Sequence, residues 1–360
     1  MMKRLPVTLL ACLLLTGCGS STLGNGATDS TREQSTVTIM TFNVENLFDT
    51  QDDVGKDDHA YLPRDQKDDP AHIAKCAPIE VDRWRRECLE LNWDEAALEF
   101  KLTQLSKVIL QVNEGRGPDV IALQEVENKA ILSRLSEEFL ADAGYRHTVL
   151  IEGDDLRGID VAFLSRLPLI GEATLHDFVP RGFPDRADDT RGILEATFEL
   201  PDGTPLTGFA VHFPAPYHPI KMRELAYERL NQLRSAIRAN HVVFAAGDFN
   251  TPMREMTQTT IMDDFVRPFW TVAHEVDCAG CRGTNYWYRG KTWSFLDMIL
   301  FAPISEQSGW QMTPGGVFIA NAYADQLNTD GTVKRFNLKL REGVSDHLPL
   351  VMTLERADNR

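Results

Sequence analysis

The 360-residue chain is short of positive charge: 37 Lys and Arg face 53 Asp and Glu, a formal net charge of −16. An acidic surface repels polyanions at long range, which argues against tight, charge-driven binding to duplex nucleic acid. The chain also has little that could cross a membrane. The apolar run Leu5 to Leu15 falls well below the roughly 20 residues that a spanning helix needs. No linker rich in Pro, Gly and Ser interrupts the sequence after residue 35, and no internal repeat stands out. Residues 36–358 therefore read as one domain. The most acidic stretch, "DTQDDVGKDDHAYLPRDQKDDP", carries eight Asp against three Lys or Arg. It lacks the alternating Asp/Asn, central Gly and terminal Glu of an EF-hand calcium loop, and reads as a solvated surface loop.

What is present begins with "MMKRLPVTLLACLLLTGCGSS". Basic Lys3 and Arg4, a short apolar core and "LTGC" form the pattern of a bacterial lipoprotein signal, cleaved before Cys18 with lipid on that cysteine. An ordinary secretory signal with a chance cysteine is the alternative. Residues 1–17 are then the signal peptide, and the small, polar residues 18–35 a flexible tether. Losing Lys3 and Arg4 moves the formal charge to −18. The expected location is the cell envelope, lipid-anchored to the outer membrane or facing the periplasm. Cys76, Cys88, Cys278 and Cys281 remain, an even number in an exported chain. Local disulfides, Cys76–Cys88 and Cys278–Cys281, are the simplest pairing. A four-thiolate zinc site using "CAGC" is the rival.

Apolar spacing predicts helices over 94–113, 130–143 and 219–240. Buried strands are expected at "TIMTF", "VIALQEV", "GIDVAFLSR", "GILEATFEL", "PLTGFAVHF", "HVVFAAGDFN", "TWSFLDMILFA" and "DHLPLVMTL". Two packed sheets flanked by helices would bury these runs. Six of the segments end or begin in acid/base or metal-binding residue types: Asn43 and Glu45, Glu125, His212, Asp248 and Asn250, Asp297, and Asp346 with His347. Caps and turns explain any one of them. Together they suggest strands delivering polar ends to a shared site.

In this order, "FNVEN", "LQEVEN", "GDFN" and "SDHLP" resemble the endonuclease/exonuclease/phosphatase superfamily over about residues 36–356. The resemblance implies an α/β (α+β) fold, a four-layer sandwich of two mostly antiparallel sheets face to face with helices outside. It implies that Glu125 is the main metal ligand and that Glu45 and Asp346 are further metal-side carboxylates. Asn43 would lie near the metal and the scissile phosphate. Asp248 and Asn250 would orient water and hold the phosphate, and Asp297 would hydrogen-bond the catalytic His347. His212 falls where deoxyribonuclease-I-like members carry a second histidine, and Arg191 where several members place a phosphate-binding arginine. Asp160 lies near the residue that partners the second histidine in the former branch. The implied cofactor is Mg²⁺, with Mn²⁺ or Ca²⁺ as alternatives.

Arg157 and Arg166 bracket one strand and could reach substrate, though exposed arginines are usually just solvated, and His218 reads as a loop residue. Tyr286, Trp287 and Tyr288 form an aromatic loop that could stack on a base or pack against the domain. Three functions compete. The first is a metal-dependent nuclease acting on nucleic acid at the envelope. The second is a phosphoesterase for phospholipid or small phosphate esters, and the third a surface-binding lipoprotein without catalysis.

Overall fold

The computed structural model describes residues 36–302 and 308–357; the signal, Cys18 and the tether lie outside them. Fourteen strands run along the described chain. They are β1 Thr36–Leu47, β2 Val120–Val126, β3 His147–Leu150, β4 Asp160–Ser165, β5 Thr174–His176, β6 Ile193–Glu199 and β7 Pro205–His212. They continue as β8 Val242–Asp248, β9 Thr271–Val272, β10 Asn285–Trp287, β11 Thr292–Ser294, β12 Asp297–Phe301, β13 Trp310–Ile319 and β14 Leu350–Arg356. One six-stranded sheet has the order β13-β14-β1-β2-β4-β3 and the other β5-β6-β7-β8-β12-β9. β10 and β11 form a separate hairpin. The expected architecture of two mixed sheets flanked by helices is what the chain adopts.

Each sheet is built around a single parallel pair, β1 with β2 and β7 with β8, while its other pairings are antiparallel. A parallel pair needs a crossover, usually helical. Before β2 the chain forms α1 (Pro70–Cys76), α2 (Asp82–Glu90) and α3 (Glu95–Leu110). Asp94 caps α3, its carboxylate accepting from Ala97 N at 2.9 Å. After β2 comes α4 (Lys129–Arg134), and α5 (Ile220–Ala236) joins β7 to β8. The alternation along β1 divides the core. Val37 and Ile39 join the apolar layer shared with the second sheet, whereas Met40 and Phe42 join the layer under α3. Gly208 on β7 makes room for two rings: an added Cβ would meet Phe244 of the neighbouring β8 at 2.4 Å and Phe163 of the first sheet at 3.2 Å.

The structure corrects several sequence-based expectations. The segment 130–143 is not one helix: α4 is followed by a π turn at Leu135–Phe139 and a 3-10 turn at Ala141–Ala143. "TWSFLDMILFA" is not one strand, because Thr292–Ser294 pairs in the hairpin and Asp297–Phe301 in the second sheet. The chain changes partners there: Leu296 O accepts from Phe249 N, and Thr284 Oγ1 accepts from Asp297 N. The acidic stretch after β1 is solvated over most of its length, with Asp52, Asp57, Asp65, Asp68 and Asp69 exposed, but it also has a packed part. Tyr61 stacks on Phe48 at 4.0 Å, Asp58 is buried, and Lys67 is buried with Nζ donating to Ala60 O at 2.7 Å. The four cysteines are joined as Cys76–Cys88 and Cys278–Cys281, which removes their thiolates from any zinc site.

His274, in the short helix Ala273–Asp277, stacks on Phe295 at 3.8 Å, and Nδ1 has no hydrogen-bond partner among the described residues. Burial pushes its imidazole down to about 4. Below pH 6.5 the unfolded chain protonates this histidine while the folded protein does not, so the unfolded state binds more protons. Stability should therefore fall as pH drops from about 6.5 to about 4, by on the order of 2 kcal/mol from this half-buried group. Urea unfolding across that range should show a shallower loss for His274→Phe; parallel pH profiles would exclude His274 as the cause.

Candidate active site

The polar residues meet where both parallel pairs end. Register sets part of the site: His212 is opposite Asp248 across β7 and β8, and Asp248 is opposite Asp297 across β8 and β12. Three functional groups thus stand abreast in one row of the second sheet. Gly247 precedes Asp248 with φ +159°, and a Cβ there would sit 2.0 Å from Val211 O. Only glycine allows that strand its close approach just before the aspartate.

In the first sheet the carboxylates are aimed by breaks in alternation. Ile121 and Leu123 face the α3 layer, and Glu125 would follow them. Instead the register shifts between Gln124 and Val126, Glu125 takes φ 66°, and Val126 occupies the α3 layer. β1 does the same between Asn43 and Leu47, with Glu45 at φ 53° and Asn46 at φ 60°. Asn250, after β8, has φ 50°. Left-handed backbone is unfavourable for residues with a Cβ, and here it re-aims side chains.

The two halves join at Asp248. Asn43 Nδ2 donates to Asp248 Oδ2 at 3.1 Å and to Glu125 Oε1 at 3.3 Å, so one amide links the sheets. Asn43 Oδ1 accepts from Glu45 N at 3.0 Å. Asn43 is thus buried beneath the cleft with its amide committed, and it sets the orientation of two carboxylates. His212 Nε2 lies 3.7 Å from Asp248 Oδ2 and 3.9 Å from Glu125 Oε1. His347 Nε2 lies 3.9 Å from Asp248 Oδ2, while its Nδ1 is 2.6 Å from Asp297 Oδ2. Asp248 Oδ1 accepts from Asn250 N at 2.8 Å, and Asn250 Nδ2 donates to Phe213 O at 3.0 Å.

The two histidines are driven to opposite charge states. Burial, helped by the Arg191 cation, holds His212 well below its ordinary value. Burial also opposes the His347 cation, but Asp297, Asp248 and Asp346 outweigh it and hold His347 well above. Asp248 is pushed up to about 7 by burial and by Asp297, against the pull of His347. Burial and Asp346 bring Glu45 up to about 7 despite Arg335. Glu125 is held below its usual value because Arg157 and His212 overcome the effect of its burial.

Glu45, Glu125 and Asp346 line one cleft of about 1100 Å³ with the two histidines, Asp248 and Asn250. They offer an oxygen-only donor set, which suits a hard divalent cation. The three do not converge within 4.8 Å as a set, because Arg335 pairs with Glu45 and, at 3.2 Å, with Asp346. Arg335 was not legible as a site residue; it lies in a basic loop before the "SDHLP" motif and belongs to no motif itself. Ser345 was also missed: its Oγ donates to Asn43 O at 2.7 Å and accepts from His347 N at 3.1 Å.

Arg191 reaches the cleft, but Nε is 3.1 Å from Asp155 Oδ2 and deeply buried. Arg157 also lines the cleft, exposed, with Nη2 donating to Asn46 Oδ1 at 2.6 Å. It is therefore part of the site and not a solvated bystander. Arg166 is structural, bonded to the carbonyls of Arg116, Ala143 and Gly117 and to Asp119. Asp160 accepts from Gly153 N, while His212 Nδ1 has no hydrogen-bond partner among the described residues, so the two do not pair. In the aromatic hairpin Tyr286 lies against Trp293 and Tyr288 Oη donates to Val333 O, while Trp287 and much of Tyr288 are exposed. Asn285 bridges His347 and donates to Asp346 O at 3.0 Å, so the hairpin holds the "SDH" segment in place.

The family described as Endonuclease/Exonuclease/phosphatase matches residues 40–347. No curated protein matches the chain significantly. Among solved structures, an endonuclease/exonuclease/phosphatase from Beutenbergia cavernae is 17% identical with TM-score 0.54, over 90% of this chain and 72% of that one. TDP2 from D. rerio, complexed with a single strand DNA product, is 14% identical with TM-score 0.53, over 89% and 99%. A mannosyl-6-phosphatase from Bacteroides thetaiotaomicron is 16% identical with TM-score 0.52, over 88% and 99%. At these identities the likeness is one of fold.

Asp297→Asn keeps the shape of the buried partner but removes the charge that fixes the His347 imidazolium. Turnover of bis-p-nitrophenyl phosphate should fall by about 10²–10⁴ with the fold retained by circular dichroism. Unchanged turnover in the folded variant would separate this pair from the chemistry.

Proposed function

The chain belongs to the endonuclease/exonuclease/phosphatase family of hydrolases, and we propose that it is a divalent-metal-dependent phosphodiesterase, a nuclease of the cell envelope. The observation that carries this reading is the convergence of Asn43, His212 and His347 on Asp248 Oδ2 beside Glu125. A cation held by Glu125 with Glu45 and Asp346 would offset negative charge on the phosphoryl oxygens. Asp248, oriented by Asn43 and raised towards neutral pH, is matched to accept a proton from water. His347, kept protonated by Asp297, presents Nε2–H to the phosphate. His212, kept neutral, adds a hydrogen bond without competing for the proton. Displacement is direct and in line, with no covalent enzyme intermediate.

The substrate must be anionic, and the cleft answers the acidic surface locally. Lys75, Arg83, Arg157, Arg191, Arg335 and Lys339 all line it. Arg157, which has no carboxylate salt bridge among the described residues, is the better placed for phosphate, with Arg191 behind it. His212, where deoxyribonuclease-I-like members and also sphingomyelinases carry a histidine, leans to nucleic acid together with TDP2 and its DNA product as a fold neighbour. The exposed Trp84 and Tyr217 at the cleft and the mannosyl-6-phosphatase neighbour support the second reading, a lipid or small phosphate ester. The lipid on Cys18 and a place at the outer membrane or facing the periplasm remain proposals from the sequence, compatible with two disulfides.

Plasmid DNA, RNA, sphingomyelin and inositol phosphates should be tested side by side with metal fixed. DNA cleavage is expected, weakening gently as salt rises because few cations contact phosphate. Arg157→Ala should raise KM for every phosphodiester by about tenfold, since it contacts phosphate and no base. Undetectable DNA cleavage at low salt, beside robust turnover of sphingomyelin or inositol phosphates, would replace the first reading with the second.

A further inference from the structure

The acidic stretch that the catalytic chemistry leaves unused folds back onto the end of β2. There Asp53, Asp58 and Glu127 each present an oxygen, and these oxygens lie within 4.8 Å of one another. Glu127 is only 3% exposed. Its Oε2 accepts from Asp49 N at 2.6 Å and Asn128 Nδ2 at 3.2 Å, yet its Oε1 is buried with no hydrogen-bond partner among the described residues. Asp58, 1% exposed, is similar: Oδ2 accepts from Asp53 N at 2.8 Å, while Oδ1 makes no hydrogen bond. The cations of the loop do not fill the gap. Lys56 Nζ donates to Gly153 O and Asp155 O. Lys75 and His59 are drawn to Asp52, each at 2.7 Å, with His59 Nδ1 3.5 Å from Asp58 Oδ1.

Two buried carboxylates with idle oxygens, facing a half-buried third, repel unless something positive sits between them. A span of 4.8 Å suits ligands around one ion with metal–oxygen distances of about 2.3–2.6 Å. An irregular, all-carboxylate set contributed by a loop and a strand end favours calcium over magnesium, which demands near-ideal octahedral geometry. We propose that Asp53, Asp58 and Glu127 form a calcium site, separate from the catalytic carboxylates, that clamps the loop 49–63 to β2. The clamp bears on the cleft, because Tyr61, which lines it, is carried by this loop and stacks on Phe48.

Thermal unfolding of the full chain in EDTA and in millimolar calcium tests this without any activity readout. Calcium should raise the midpoint of wild type and of Glu125→Gln by several degrees and leave Glu127→Gln unmoved. In EDTA, Glu127→Gln should unfold no earlier than wild type, since it removes one of three like charges. Asp53→Asn, at a half-exposed position, should weaken calcium binding in titration calorimetry by at least tenfold. A wild-type midpoint indifferent to calcium, a shift that survives in Glu127→Gln, or a shift that Glu125→Gln also abolishes would overturn the proposal.

Discussion

One amide holds the candidate site together. Asn43 Nδ2 reaches from the end of β1 to Asp248 Oδ2 at the end of β8, and to Glu125 on its own sheet. Most of the remaining contact between the two sheets is apolar, which is non-directional and sets distance more than orientation, and His347 adds a second directional contact to Asp297. A buried hydrogen bond to a carboxylate has direction, and losing one partner would strand a charge away from water. The sandwich therefore fixes spacing, and this contact fixes register across it. His212 and Asp297 need no such device, because strand pairing already sets them beside Asp248.

The charge states follow from that geometry. Burial and a neighbouring carboxylate push Asp248, beside Asp297, and Glu45, beside Asp346, up towards neutral pH. His347 is held as a cation by the carboxylates around it despite its burial, and His212 stays neutral because it is buried and Arg191 and Arg157 already supply positive charge on its side. Pairs of titratable groups pushed apart in this way mark an acid and a base. The strained backbone at Glu45, Asn46, Glu125 and Asn250 belongs to the same economy: each left-handed residue is unfavourable by about 1 kcal/mol or more, and the rigid sheets hold it.

Much of this was legible in the sequence because it is local. Strand ends in "FNVEN", "LQEVEN", "GDFN" and "SDH" announce themselves by the switch from apolar to polar residues, and helix α3 by its spacing and Asp94 cap. The site residues Asn43, Glu125, His212, Asp248, Asn250, Asp297 and His347 were all found that way. What stayed hidden depends on distant chain. Arg335 is one cation among several in a basic loop until folding brings it to Glu45 and Asp346. Arg157 and Arg191 carry the same composition, and only packing shows which one Asp155 engages. The acidic loop misleads for a related reason: net charge suggests solvation, but Tyr61 and Lys67 give it a core of its own. The break in "TWSFLDMILFA" needs the knowledge that Leu296 O is taken by Phe249 N.

The same division explains why the chemistry is easier to read than the substrate. Each sheet has one parallel pair, and both pairs end at the site, but their crossovers differ. Between β7 and β8 the chain spends residues 213–241, essentially α5. Between β1 and β2 it spends residues 48–119, which hold the acidic loop, the Cys76–Cys88 disulfide and three helices. Tyr61, Trp84 and Trp93, all from this long crossover, line the cleft, whereas the groups around Asp248 come from strand ends and short loops. Strand ends are constrained by pairing and leave residue-level signatures. A crossover is constrained only to return the chain to its sheet, so it can be rebuilt around a new substrate without disturbing the reacting groups. Much of the cleft wall thus comes from the segment whose sequence says least about its fold, and that segment is tied to the strand ends through Glu127, two residues beyond Glu125.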